Sequence, residues 1–536
     1  MSLVERLEEI KKLWYELELP LRQDVAYVYL DKEQKIIKNI DQRLELLLEN
    51  RDFQKFLKRL RKDHKLKEIS EIEEVFSKKY KNENAQFWHE EAQEAVVRLF
   101  RDILPDIKIF EAYNKTRHEM LRFRNEIPAK LQQIPKAGAS KKVGIAIIGA
   151  GFSGLAAAYF LLKSGVPGKD ITIFEKEKVG SGSSGRSGGF LTASVEIDFI
   201  DAVKDMGKPL ALKTWRAAEY GIDLMKEVSD SIGDNGRYFR YNLGYLYLTE
   251  DDEYLRVLRN EARALSSIGN TAKIIPGSEL KARFNLNGYK GALYSHKASF
   301  VYSVGFINEM SRFLVSKGVR ILENTQVEKI DRESTRLIFG DGRSLECGSI
   351  IIASNHHAVK FGISKSMIGD ACETCLALTE PLPIDFLKKH KMLIRHIMWD
   401  SKEIYSYFTI LDDGRIMIGG QDKNFPHAAK LRTEINFIHY FYEYLTKHFQ
   451  ELRGIRFQKM WSGVIVTPPD TSPLAGRLGN TNVYISVNNG IPYCFLSGKI
   501  LADIMTGKPS EYAGLFDPNR EMIASTAQIF GALSKK

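Results

Sequence analysis

A chain of 536 residues with 44% hydrophobic and 27% charged residues has the length for two or three domains and the composition of a soluble globular protein. Its net charge of +10 is dispersed; the one dense basic block, KFLKRLRKDHKLK (55–67), reads as the polar face and end of a helix. With no RNA-recognition signature, no signal peptide and no apolar run of membrane-span length, the sequence argues against nucleic-acid and membrane partners and for a cytoplasmic location.

Residues 1–135 place apolar residues at helical spacing between charges of both signs, as in VERLEEIKKLWYELE and NAQFWHEEAQEAVVRLFRDIL. This spacing predicts an all-α N-terminal domain of four or five amphipathic helices. His89, Glu90 and Glu91 have no spaced second pair, so a solvated face is expected there and no metal. Residues 136–142 supply the glycine and serine of a linker.

From residue 143 strands and helices alternate. VGIAII is a β-branched strand, GAGFSG a glycine turn, and the alanine- and leucine-rich run after it a helix; DITIFEK is the next strand. Later strands, among them YSYFTILDDGRIMIGG, imply a second, mostly antiparallel sheet, so the expected class is α/β with a Rossmann-like domain and a sheet domain. The four cysteines suit a reducing compartment. Cys372 and Cys375 form a lone C-x-x-C without a second zinc pair and read as two small residues near a strand.

Gly149, Gly151 and Gly154 stand in G-x-G-x-x-G spacing, enclosing Phe152 and Ser153, after a strand and before a helix. Glu175, followed by Lys176, closes the next strand. In that context the spacing marks a dinucleotide site: a tight turn, close approach of a pyrophosphate, and a helix N-terminus facing it. Glu175 would accept from a ribose hydroxyl. This fingerprint suits NAD or FAD. Then GSGSSGRSGGF (180–190) brings five glycines and four serines around Arg186, only a few residues after Glu175. A second glycine–serine element so close suits the longer cofactor. Ser183 and Ser184 could donate to the pyrophosphate, Arg186 could neutralise it or anchor the loop, and Ser187, Gly188 and Gly189 let backbone pass a flat ring.

With these motifs the sequence resembles the D-amino-acid-oxidase-like superfamily of FAD-dependent amine oxidoreductases, nearest its γ-glutamylputrescine oxidase and glycine/sarcosine oxidase branch. Further matching segments are Thr379 to Leu382, the strand pair ending at Gly419 and Gly420, WSGVIVTPPDTSPLAG, and NVYISVNNGIPYCFLSGKILADIMTG. The resemblance covers roughly residues 143–510. It implies non-covalent FAD held by residues 143–200, 298–372 and 460–515, a substrate-binding domain of 201–297 and 373–459, and a glutathione-reductase-type fold. It further implies a Val327 backbone contact to adenine, with Ala353 and Ser354 closing the neighbouring strand. Asn489, Gly490, Ile491 and Pro492 would open the last long helix beneath the flavin. Pro492 suits a first helical position.

Two departures carry expectations. Asn488 and Asn489 replace small positions and could narrow the approach to the flavin. Ile465 stands where glycine and D-amino-acid oxidases carry a carboxylate-clamping arginine, which disfavours a free small α-amino acid; Arg395 or Arg477 could substitute. The implied reaction is oxidation of a C–N bond, with a hydride passing to flavin N5 and the imine hydrolysed, and oxygen or another acceptor taking the electrons. No obligatory base is expected. The pocket candidates are Tyr405, Tyr407, Trp461 and Tyr493, with His396 weaker; His356 and His357 are expected near the cofactor's distal end or exposed. Residues 1–135 could cap the site, mediate self-association, or dock a protein partner that carries a macromolecular substrate; the fold could also survive mainly as a binding scaffold.

Overall fold

The computed structural model describes residues 143–193, 197–402, 405–424 and 434–522. The expected N-terminal helices and the linker lie outside the described residues.

Isoleucine and valine runs build the first sheet. Val143–Ile148 lies between Ile171–Phe174 and Ser344–Ile352, parallel to both. Arg320–Leu322 extends the parallel set on one side and Val483–Val487 on the other. Antiparallel strands complete it: Val327–Asp331 and Arg336–Phe339 beyond Ser344–Ile352, and Leu474–Arg477 on Val483–Val487. Parallel strands are covered on both faces, which is why they read as unbroken apolar runs. Ala146, Ile147, Ile171, Ile173 and Ile350 to Ile352 are all fully buried.

The helix after the glycine turn, Phe152–Lys163, packs against Ile491–Met505. A side chain at Gly498 would meet Ala156 backbone at 2.7 Å, so two small residues let these helices touch. The 24-residue helix Lys208–Ser231 also lies on Ile491–Met505, with Gly221 against the Pro492 carbonyl. Residues 208–231, expected in the substrate domain, thus pack on the last long helix.

The second sheet runs Ile416–Asn424, Ser406–Ile410, Ile397–Asp400, Tyr245–Thr249, Gly291–Ser295, Lys273–Pro276, and residues of Asp370–Thr379 and Phe457–Thr467 continue its first edge. Its first six strands are antiparallel except where Ile397–Asp400 runs parallel to Tyr245–Thr249. Leu246, Leu248, Met398, Phe408 and Ile418 on one face are fully buried; on the other, Tyr247, Trp399 and Tyr407 are half-buried while Tyr245, Thr249, Ile397 and Thr409 are buried. A small sheet of Phe190–Thr192, Ala298–Val301 and Phe239–Arg240 continues from the glycine–serine segment.

Residues 377–380 and 434–460 group as a separate compact unit. Its helix, Glu434–His448, buries Phe441 and Leu445, and the Tyr442 hydroxyl accepts the Gly454 N–H at 3.0 Å.

Candidate active site

At the glycine turn, Gly149 has a φ of +109° and donates its N–H to Phe174 O at 2.9 Å. A Cβ at Gly154 would lie 2.0 Å from the Gly149 carbonyl oxygen, so no larger residue fits. Gly151 caps the Phe152–Lys163 helix with no side-chain hydrogen bond. Phe152 gives the site only its backbone: its N–H donates to Ser184 Oγ at 3.0 Å and its ring is buried against Phe306 and Phe495. Ser153 Oγ accepts from Asn488 Nδ2 at 2.9 Å.

Glu175 is 8% exposed, and its two carboxylate oxygens accept the N–H groups of Ala150 and Glu177, each at 2.9 Å. Burial pushes its pKa up and the two N–H donors oppose the shift. Each oxygen keeps a second lone pair for a hydroxyl donor. Lys176 is exposed, with Nζ 3.4 Å from His357 Nε2 and 3.6 Å from Glu177.

In the glycine–serine segment, Ser183–Arg186 forms a single helical turn. The Ser183 hydroxyl donates to Val464 O at 2.6 Å, so its proton is committed to the protein and not to a phosphate, contrary to the expectation from composition. Ser184 Oγ is an acceptor for Phe152 N and retains its own proton for donation. Arg186 Nε donates to Ser181 O at 3.1 Å, which anchors the loop, and Ser187 Oγ meets Ser303 Oγ at 2.8 Å. Gly189 O accepts the Val301 N–H at 2.8 Å.

Tyr407 joins this loop to the second sheet. Its ring occupies the volume that side chains at Gly419 and Gly188 would fill, the nearest ring atoms being 2.7 and 3.2 Å from those Cβ positions. Phe190 stands edge-on to it at 5.2 Å and Thr374 Oγ1 lies 3.2 Å from its hydroxyl. Tyr405 shares its face, 6.0 Å away between ring centroids. Trp461 is half-buried and donates Nε1–H to Arg186 O at 2.8 Å. Tyr493 is 2% exposed and edge-on to Phe516, which removes its ring from any pocket surface. His396 is held by Leu243 O between Phe284 and Tyr294.

The carboxyl ends of the parallel strands carry buried polar atoms with no partner among the described residues: Ser354 Oγ, Asn355 Oδ1, His356 Nδ1 and, after Val483–Val487, Asn489 Oδ1. That is where open α/β sheets take ligands. Ala353 approaches Gly149 through its carbonyl, while Val327 is buried and pairs with Phe339. His356 and His357 lie with ring centroids 3.9 Å apart; burial, then neighbouring cations, lower His356 to about 4, and burial, then His356, lowers His357 to about 3.

Asn488 does not narrow the site. It is buried, bonding Ser153 and Ser486 through Nδ2 and accepting from Ser497 at 2.6 Å, so it ties three elements together. Asn489 Nδ2 reaches Thr471 O at 3.0 Å. Gly490 caps the next helix without a side-chain bond, Ile491 is its first residue, and Pro492 is the second rather than the first. Either early position spares proline an unpaired N–H. Asp470 is forked onto Arg520 at 2.8 and 2.9 Å, a pairing that the sequence reading missed because fifty residues separate the partners.

A glycine turn, a carboxylate behind it, a second glycine–serine loop and orphaned polar atoms at strand ends define the cradle of a dinucleotide-type cofactor. The chain belongs to the DAO family of FAD-dependent oxidoreductases, whose model matches residues 144–504. It is 21% identical over 386 residues to the γ-glutamylputrescine oxidoreductase of Escherichia coli (strain K12), covering 69% of this chain and 84% of the relative. Among solved structures it is similar to the L-proline dehydrogenase of P. horikoshii (22% identity, TM-score 0.59, covering 71% of this chain and 98% of that one). The glycine oxidase of Geobacillus kaustophilus is similar too (19% identity, TM-score 0.59, 71% and 100%). No helix among the described residues is long and apolar enough to cross a membrane.

Proposed function

We propose that the chain oxidises the C–N bond of an amine that is not a free α-amino acid. The relatives named above support the amine chemistry through their own substrates. The observation that carries the restriction is Ile465 itself, together with the state of the two arginines that could substitute for a clamp, Arg395 and Arg477, and of Arg520 on Asp470. Arg477 donates to Thr481 O and the Asn482 side chain at an exposed strand end, Arg395 is exposed, and Arg520 is forked onto Asp470. A carboxylate clamp needs a guanidinium with its planar fork available.

In this reading residues 143–200, 298–372 and 460–515 form the cofactor-binding half, and 201–297 and 373–459 the substrate half. Glu175 accepts from a ribose hydroxyl, the Gly149–Gly154 turn and Ser184 face the pyrophosphate, and the orphaned Ser354 and His356 atoms serve the adenosine end. The bound FAD supplies the hydride acceptor. The chain's own residues orient and dehydrate: Trp461 is fixed by Arg186, Tyr407 is fixed by its glycine bed, and the start of Ile491–Met505 presents unpaired N–H groups and a positive dipole end. The substrate amine enters neutral, and no side chain is needed as an obligatory base. The alternative, a macromolecular substrate docked by residues 1–135, rests on a region outside the described residues.

Anaerobic titration of the purified holoprotein with polyamines, N-acylated diamines, N-methyl amines and amino acids tests this. Bleaching of the visible flavin band by one amine class, with amino acids inert, is expected. Bleaching by free α-amino acids alone, or a flavin that no small amine bleaches, overturns it.

A further inference from the structure

The second sheet's two faces differ in chemistry. Register sets Leu246, Met398, Phe408 and Ile418, all fully buried, side by side on one face. On the other face it aligns Tyr247, Trp399, Tyr407 and Gly419 in one row. At one end of that row Tyr407 touches the glycine–serine loop through Gly188 and Phe190. Tyr247 lies two strands away, about 10 Å along the row.

Aromatic surface converges at that far end. Tyr247 and Trp399 have ring centroids 5.4 Å apart, Tyr245 stacks on Trp399 at 4.7 Å, and the Tyr247 and Tyr254 hydroxyls are 2.7 Å apart. The carboxylates of Asp198 and Glu261 push the hydroxyls of Tyr245, Tyr247 and Tyr254 further toward their neutral forms, beyond the larger effect of burial. Glu261 is engaged by the N–H groups of Phe199 and Ile200, at 2.7 and 3.0 Å. Asp198 precedes the same helix, Phe199–Met206, yet makes no side-chain cap bond. The charged groups acting on it are Glu261, Asp201 and Lys204, and Lys204 is exposed and bound to Asp201 at 2.7 Å. Burial, then those two acids, raise Asp198 to about 7.

π-faces beside a partly buried carboxylate with no bound cation among the described residues are surroundings that hold a cation. We propose that Asp198, Tyr247, Tyr254 and Trp399 form a subsite for a second positive centre on the substrate. The substrate class is then a diamine or polyamine, its reacting nitrogen at the Tyr407 end of the row and its distal ammonium at the Tyr247 end. This inference rests on the amine-oxidation reading, and its test separates the two.

The flavin-loaded full-length protein is titrated at pH 8.5 with hexamethylenediamine and with hexylamine, which have equal carbon counts, following binding by calorimetry and turnover by anaerobic bleaching. The diamine is expected to bind about tenfold or more tightly than the monoamine. Asp198→Asn and Trp399→Leu should each collapse that ratio towards one, and Asp198→Glu should restore part of it. Equal affinities, absent binding, or a ratio that survives both Asp198→Asn and Trp399→Leu overturns the subsite. Diamine binding that depends on Asp198 without bleaching keeps the subsite and removes the amine-oxidation reading. Bleaching by both probes without preference does the reverse.

Discussion

In the proposed reading the first sheet offers a ligand the ends of its strands, and the second the face of several strands at once. At the strand ends the decisive groups are backbone N–H, carbonyls and missing side chains, packed so closely that Gly154 tolerates no Cβ. On the second sheet's aromatic face the decisive groups are rings contributed by Tyr245–Thr249, Ile397–Asp400 and Ser406–Ile410. Change should therefore be close to all-or-none in the first region and graded in the second.

The steepest effect should follow Gly154→Val, which drives a β-branched side chain into the Gly149 carbonyl. We expect flavin content, read as the ratio of visible to ultraviolet absorbance, to fall to about a tenth or less of wild type. A fully flavinated variant would show that the turn is less constrained than its geometry. Gly419→Ala sharpens the contrast. The new methyl meets the Tyr407 ring, and a loss of about 2 kcal/mol in unfolding free energy is expected. In a Tyr407→Leu background most of that loss should vanish; equal losses in both backgrounds would deny the contact.

Asp198→Asn should act in the opposite direction on stability. The folded-state value of Asp198, about 7, lies above its ordinary 3.8, so between these values the folded chain holds a proton that the unfolded chain has released. Its contribution to stability is fully present below about pH 4 and is lost as pH rises through 7. The neutral asparagine escapes that loss, so the variant should melt roughly 2–4 °C above wild type at pH 8.5 and alongside it at pH 4. A lower melting temperature at pH 8.5 would place a hidden partner on the carboxylate. Smallest is Trp461→Phe, which removes the donor to Arg186 O and should cost about 1 kcal/mol, with flavin content kept.

What was legible in the sequence follows the same division. The glycine turn and Glu175 are local: strand, turn, helix and carboxylate all lie between Val143 and Glu175, and their geometry follows from those residues. Side-chain partners far along the chain are not local. Ser183 looks like a phosphate donor until Val464, 281 residues away, takes its proton. Asn488 looks like an obstruction until Ser153 and Ser497 turn it inward. Tyr493 sits beside the correct helix start, yet the helical turn aims it at Phe516. Trp399 and Tyr247 drew no attention because cross-strand register, which alone makes them neighbours of Tyr407, is not written in any single segment.

The seat of Tyr407 has an evolutionary consequence. One phenol ring fills the room left by two absent side chains, one on the glycine–serine loop and one on the second sheet. Positions 188, 376, 407 and 419 therefore share one packed volume. A lineage, or a selected library, that enlarges Gly419 must shrink residue 407 in the same step, and one that enlarges Gly188 must make room at Leu376 or Tyr407, so this strand and the glycine–serine loop change only together.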